Sequence, residues 1–266
     1  VRHQKFCRFV EMNPDKPLYG LIEGNYIFAL GSSPFDGTQT DTSEINRINR
    51  IDIESVRLLA PATPTKIVCV GRNYKAHAEE LGNKMPDEPL IFLKPASSVI
   101  ATKEEIVIPP SSNQVEHEGE IGVVIGRKAA RLDGKQNPLD YVFGYTCLND
   151  VTARDLQRKD LQFTRGKSFD TFCPVGPFIA TGLDPTDITL TTRVNGIVRQ
   201  HGNSKDMAFP IAYLIQYISN IMTLLPGDII ATGTPAGVSK LDEGDIVDVE
   251  VDGIGVLSNP VKNLSA

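Results

Sequence analysis

Twenty-two glycines and 18 prolines are spread through the 266 residues, and they break the chain into apolar runs too short for long helices. Each is a place where the backbone must turn or lose a ladder donor, so a chain punctuated this often folds as many short strands with few helices. FCRFVE (6–11) reads as a strand, and YGLIEGNYIFALG (19–31) as a hairpin turning at Glu23-Gly24-Asn25. KIVCVG (66–71), PLIFLKP (89–95), EEIVIPP (104–110) and VEHEGEIGVVIG (115–126) read as further strands. DITLTTRVNGIVRQ (187–200) is a hairpin turning at Asn195-Gly196, a pair that tolerates the positive φ values a tight hairpin needs. GDIIATG (227–233), GDIVDVEVDG (244–253) and IGVLSNPV (254–261) close the chain as strands, with the two Gly-Asp steps marking turns into them. Three helices are expected: RNYKAHAEELG (72–82), closed by Gly82; NDVTARDLQRKD (149–160), from about Thr152; and residues 210–222, where Ile211, Leu214, Ile215, Ile218, Ile221 and Met222 recur at helical spacing behind Pro210.

The polar, turn-rich SSPFDGTQTDTSE (32–44) and the run RLLAPATPTK (57–66), which reads as a linker, suggest a boundary near Pro61 and Pro64. The chain then divides into a small N-terminal β domain, 1–62, and a main domain, 63–266. Lys and Arg number 27 against 33 Asp and Glu, a net charge of −6 with no basic block, which argues against nucleic acid or an anionic membrane as the main partner. With no apolar run of about 18 residues and no long apolar stretch at the start, a cytoplasmic protein is expected. Cys7, Cys69, Cys147 and Cys173 lie far apart and form no CxxC pair, so they read as buried thiols. Four histidines without an HExxH pattern supply a zinc hydrolase poorly, whereas the carboxylates could build an oxygen-ligand site.

The chemistry starts from Glu118 and Glu120. On a strand in which Ile121, Val123 and Ile125 take one face, these two glutamates share the other with Gly122 and Val124. Their Cβ atoms stand about 6–7 Å apart, close enough for both to grip one cation and close enough to repel when bare. A solvated strand face is the plainer reading of an ExE pair, but the apolar opposite face favours a central strand. A third carboxylate would come from LNDVTARD (148–155): Asp150, just before the helix, can cap it or reach an ion, and Asp155, one turn inside, is expected in a salt bridge. His77 and Glu80, at i and i+3, are neighbours on one helix face, where a carboxylate fixes the imidazole tautomer and raises its basicity; a plain surface pair is the alternative. Arg72, Asn73 and Tyr74 at the strand-to-helix turn are binding groups or cap dressing. RGKSFD (165–170) contains GKS, but a phosphate loop needs glycine where Leu161 stands, so Lys167 is left as a point charge for a carboxylate substrate or as an ordinary lysine. TGTPAG (232–237) is a turn whose Thr234 hydroxyl and N–H groups could receive an anion.

GRNYKAHAEE (71–80), LIFLKPASSVI (90–100), VEHEGEIGVVIG (115–126), GYTCLNDVTARDLQ (144–157), RGKSFDTFCPVGP (165–177), VNG (194–196) and LLPGDIIATGTPAGV (224–238), in that order, resemble the fumarylacetoacetate hydrolase superfamily over residues 66–261. The resemblance implies a mainly β fold with short helices, a β-roll or barrel-like C-terminal domain behind a small N-terminal one, and a homodimer. It also implies Mg²⁺ or Mn²⁺ on Glu118, Glu120 and Asp150, a catalytic set of His77, Glu80 and Lys167, and Arg154, Gln157 and Thr234 lining the substrate pocket; Arg72 and Tyr74, from their place at the turn, are expected to bind substrate beside them. The implied chemistry is cleavage of a C–C bond in a 2-oxo acid that chelates the metal, with an enolate stabilised by the metal and Lys167. For acylpyruvate hydrolysis, His77 would activate water; oxaloacetate decarboxylation needs no water. The alternative is isomerase or decarboxylase action on a diacid of aromatic catabolism, such as 2-hydroxyhepta-2,4-diene-1,7-dioate or 5-oxopent-3-ene-1,2,5-tricarboxylate. A metal-stabilised structural protein would keep the carboxylates but would not need His77, Glu80 and Lys167.

Overall fold

The computed structural model describes residues 3–11, 16–36 and 49–264, so residues 37–44 of the polar segment lie outside the described residues. The short apolar runs form strands as expected, and the fold is mainly β with four short helices among the described residues. A large sheet runs in the order Arg50–Asp52, Tyr26–Ala29, Leu18–Glu23, Lys5–Glu11, Cys173–Ala180, Val142–Asn149, Gly119–Ile125, Ile229–Ala231, Ile67–Gly71, Leu90–Lys94. A five-stranded sheet, Ile197–Asn203, Thr189–Val194, Ile246–Val251, Gly255–Asn263 and Ile106–Ile108, packs against it. The main core lies between the two: Ile121, Val123 and Ile125 from one side meet Leu190, Val249 and Leu257 from the other. Val124, on the opposite face of the same strand, joins Ile67, Cys69 and Leu148 in a second apolar cluster, so all seven residues of Gly119–Ile125 are buried. A strand covered on both faces cannot present a solvated row of glutamates.

The helices are α1 (Lys75–Glu80), α2 (Arg154–Lys159), α3 (Thr164–Lys167) and α4 (Ile211–Ile221). α4 buries Ile211, Leu214, Ile215 and Ile218, as its spacing predicts. The Asn195-Gly196 turn has φ of 53° and 76°, the left-handed pair that a two-residue hairpin requires.

Several local expectations are corrected. The run 57–66 is no loose linker: Val56–Leu59 is a strand paired with Lys5–Glu11, Ala62 is buried, and Thr65 hydrogen-bonds to buried Asp228. The N-terminal strands also continue the main sheet, because Lys5–Glu11 pairs with Cys173–Ala180. VEHEGEIGVVIG is not one strand; Val115–Glu116 pairs with Thr152–Ala153 as a separate ribbon, and the ladder restarts at Gly119. That ribbon also delays α2, which starts at Arg154 and not at Thr152. Finally, Asp155 makes no ion pair among the described residues: its carboxylate accepts from Ser112 Oγ (2.6 Å), Asn113 N (2.8 Å) and Leu156 N (2.9 Å), which ties the first turn of α2 to the 112–113 turn.

Candidate active site

Four neighbouring strands of the large sheet end at one place. Val142–Asn149 runs into Asp150, and its antiparallel neighbour Gly119–Ile125 starts there, just after Glu118. Ile229–Ala231, antiparallel to that, runs into Thr232, Gly233 and Thr234, and Ile67–Gly71, parallel to it, runs into Arg72 and α1. Antiparallel pairing thus brings Glu118 beside Asp150: Asp150 N donates to Glu118 O at 2.8 Å, and Glu118 N to Asn149 Oδ1 at 2.9 Å. The TGT turn wraps the start of the central strand through Gly233 N to Glu120 Oε2 (2.8 Å) and Thr234 Oγ1 to Gly119 O (2.7 Å).

Helices α2 and α3 then close one side with cations. Lys167 Nζ lies 2.7 Å from both Glu118 Oε2 and Asp150 Oδ2, and 5.2 Å from the centre of the Phe92 ring. Arg154 donates to Glu116 (2.7 Å), to Gln157 Oε1 (2.6 Å) and to Glu118. The glycine of RGKSFD serves close packing and not phosphate: a Cβ on Gly166 would stand 3.0 Å from Gln157 N and 3.1 Å from Ala153 O.

These neighbours set the ionisation of the buried groups. Burial alone would raise the Glu118 carboxyl, but the Lys167 and Arg154 charges hold it well below the usual carboxylate range. Lys167 is penalised by burial and more than compensated by Asp150 and Glu118, so it stays an ammonium. Glu120 lacks a cation of its own; burial and the charges of Asp150 and Glu118 push its carboxyl far up.

His77 Nδ1 faces Glu80 Oε2 at 3.3 Å, and Glu80 also accepts from Gly237 N at 3.0 Å, so one carboxylate ties α1 to the TGTPAG turn. All the residues expected at the site line a single cavity of about 240 Å³, except Glu80 and Tyr74. Glu80 stands behind His77. Tyr74 is buried beside Gly202, bridged by its backbone to Met207, and its hydroxyl has no hydrogen-bond partner. Asn73 is structural: its side chain bonds to Phe209 N and O and to Thr232 O.

Several residues at the site escaped the sequence reading. Lys94 is buried and donates to Asp150 Oδ1 (2.6 Å) and Val151 O (3.1 Å). The available signal was a lysine ending an apolar strand. Glu116 holds Arg154, and Gln200 links His117 Nδ1 (3.1 Å) and Gly119 N (3.0 Å) to the Thr234 hydroxyl (2.7 Å). Gln200 is distant in sequence and carries no motif.

The donor set fits a hard divalent ion. Oxygens of Glu118, Glu120 and Asp150 lie within 4.8 Å of one another, near the width of one octahedral shell, about 4 Å for Mg²⁺. Four buried carboxylates, Glu116, Glu118, Glu120 and Asp150, face three buried cations, Lys94, Arg154 and Lys167. A divalent ion would relieve the repulsion that falls on Glu120 and leave room for an anionic ligand.

A family model described as fumarylacetoacetate (FAA) hydrolase C-terminal matches residues 66–262, and one described as Rv2993c-like, N-terminal, matches residues 4–61. Oxaloacetate tautomerase YisK of Bacillus subtilis is 43% identical over 229 residues, 79% of this chain and 74% of that one. Oxaloacetate tautomerase FAHD2A, mitochondrial, of Homo sapiens is 43% identical over 219 residues, 77% of this chain and 69% of that one. The crystal structure of 2-hydroxyhepta-2,4-diene-1,7-dioate isomerase from Mycobacterium marinum has a TM-score of 0.87 at 38% identity and covers 99% of this chain and 100% of that one. A match over about three quarters of the length, spanning the strands and turns that build the carboxylate cluster, shows that the chain belongs to the fumarylacetoacetate hydrolase family.

Proposed function

We propose that the site interconverts the keto and enol forms of a 2-oxo dicarboxylic acid of the oxaloacetate class, with Mg²⁺ or Mn²⁺ held by Glu118, Glu120 and Asp150. The observation that carries this reading is the convergence of three buried carboxylates, a buried ammonium and a carboxylate-backed histidine on one small cavity. At about 240 Å³, it lies below the ~300–1,000 Å³ of sites for drug-sized ligands, which suits a small acid. A divalent ion supplies Lewis acidity, which lowers the cost of negative charge on a 2-oxo oxygen.

The chain's own residues do the rest. With the Nδ1 proton of His77 donated to Glu80, Nε2 keeps its lone pair and removes a proton from C3; Nε2 then passes that proton to the 2-oxo oxygen to complete the enol, and the reverse steps restore the ketone. Lys167, kept charged by Glu118 and Asp150, faces the developing negative charge from a fixed position. Thr234 and Gln157 offer polar atoms at the wall. Support also comes from the names of the Bacillus and human relatives, which are tautomerases. A second reading, cleavage of an acylpyruvate, rests on the same His77–Glu80 pair, which can equally activate water for attack at C4; decarboxylation of oxaloacetate would draw on the same charge stabilisation without water.

The test is the decay of enol absorbance after enol-rich oxaloacetate is mixed with protein and Mg²⁺ or Mn²⁺, with pyruvate assayed in the same sample and after addition of acetylpyruvate. Acceleration without pyruvate is expected, and His77→Ala should slow it by about 10²- to 10⁴-fold. Pyruvate release from acetylpyruvate without faster enol decay would replace the tautomerase reading with the hydrolase one.

A further inference from the structure

Four cationic side chains line the cavity: Arg72, Arg154, Arg158 and Lys167. Two are committed, since Arg154 is held by Glu116 and Glu118, and Lys167 by Glu118 and Asp150. The other two have no carboxylate partner among the described residues. The hydrogen bond of Arg158 is a long one, 3.4 Å, to the neutral Gln114 Oε1, and the Arg72 side chain makes no hydrogen bond or ion pair among the described residues. The exposed Arg165 nearby, by contrast, is paired through two nitrogens with Asp160.

Their placement gives the two free guanidiniums a direction. Arg158 is four residues beyond Arg154 on α2, hence on the same helix face and about 6 Å along the axis, and it is exposed where Arg154 is buried. Arg72 has φ 57°, a left-handed backbone that residues with a side chain rarely adopt. Such outliers persist where surrounding structure holds them and gather at binding sites. Asn73 anchors that turn inward, and Arg72 is left in the cavity wall.

We propose that Arg158, together with Arg72, forms a second carboxylate subsite on the solvent side of the cavity, which makes the protein select dianionic over monoanionic 2-oxo acids. The inference rests on the preceding reading, in which the 2-oxo acid head lies at Glu118, Glu120 and Asp150. In a four-carbon diacid the distal carboxylate is separated by two carbons from the one in the chelating head, so it projects beyond the oxygens that the head uses. A guanidinium matches a carboxylate with two parallel N–H donors, which a lysine cannot reproduce.

Titration calorimetry with Mg²⁺ present would compare oxaloacetate, its 4-methyl ester and oxalate on the wild type, Arg158→Gln, Arg158→Lys and Arg72→Gln. Oxalate carries the chelating head without the distal carboxylate, and its binding also reports that each variant is folded. The expected result is tighter binding of the diacid than of the ester by the wild type. Arg158→Gln should weaken the diacid by about 10- to 100-fold, with Arg158→Lys recovering only part and oxalate unchanged. Oxalate binding with no preference for diacid over ester, or an equal loss of all three ligands in Arg158→Gln, would overturn the subsite alone. Failure of oxalate to bind the wild type would overturn both the subsite and the reading on which it rests.

Discussion

Lys94 is only 1% exposed and ends a strand whose other residues are apolar. Its ammonium is tolerated because Asp150 Oδ1 and the Val151 carbonyl replace the water it lost. Removing one member of a buried pair strands the other, at a cost of about 3–5 kcal/mol. Lys94→Met, which keeps the volume, should lose that much stability in metal-free buffer, measured by urea unfolding. Because the substitution leaves the carboxylates in larger excess, Mg²⁺ or Mn²⁺ should recover a larger share of the loss than it adds to the wild type. An unchanged response to the ion would mean that Lys94 and the cation do not share a field. Glu118 and Lys167 were legible from motif and residue type; Lys94 was not, because one lysine ending an apolar run looks the same whether its head reaches solvent or a buried aspartate.

At the scale of elements, small helices hold the site, and their attachments are testable. Gly166 lies where α3 crosses α2, and an added Cβ would meet backbone atoms of Gln157 and Ala153 that cannot swing away. Gly166→Ala should therefore displace Lys167 and reduce turnover at least tenfold, with a loss of about 1–3 kcal/mol from overpacking. Gly196→Ala, at φ 76° with open space around it, should cost about 1 kcal/mol and leave turnover intact. Asp155 fastens the start of α2, and its carboxyl is lowered: burial raises it, and the hydrogen bonds from Ser112, Asn113 and Leu156 together outweigh that. A depressed folded-state value means that the stabilisation is complete above the unfolded carboxyl pKa, about 3.9, and is lost as pH falls through the lower folded value. Asp155→Asn should destabilise by about 1 kcal/mol at pH 7, and the gap from wild type should narrow below pH 4. A gap independent of pH would assign the effect to shape and not to charge.

For the whole molecule, burial is deep enough to silence the thiols. All four cysteines are free and buried, and burial pushes Cys7, Cys147 and Cys173 up to about 12. A thiol reagent at pH 8 should label none of them in the native protein and all four in guanidinium, since only the thiolate reacts. Rapid labelling of Cys7 alone would show that the strands joining residues 5–11 to the main sheet open independently. The homodimer expected from the family resemblance would give twice 29.1 kDa by light scattering; a mass near 29 kDa at micromolar concentration would remove it.

The sequence by itself determined the strand-rich class, the Asn195-Gly196 hairpin, the amphipathic α4 and the residue types of the site, because turn chemistry and side-chain periodicity are local properties. Tertiary structure alone decided which carboxylates face which cations. The pairing of Val142–Asn149 with Gly119–Ile125 sets Asp150 beside Glu118, 32 positions apart, and the crossing of α3 over α2 delivers Lys167 between them. It also decided that residues 57–59 join a sheet, that the ExE strand breaks after Glu116, and that Asp155 takes hydrogen bonds in place of an ion pair. In each case the deciding contact is long-range, and burial has removed the water that would otherwise have made the alternatives nearly equal in energy.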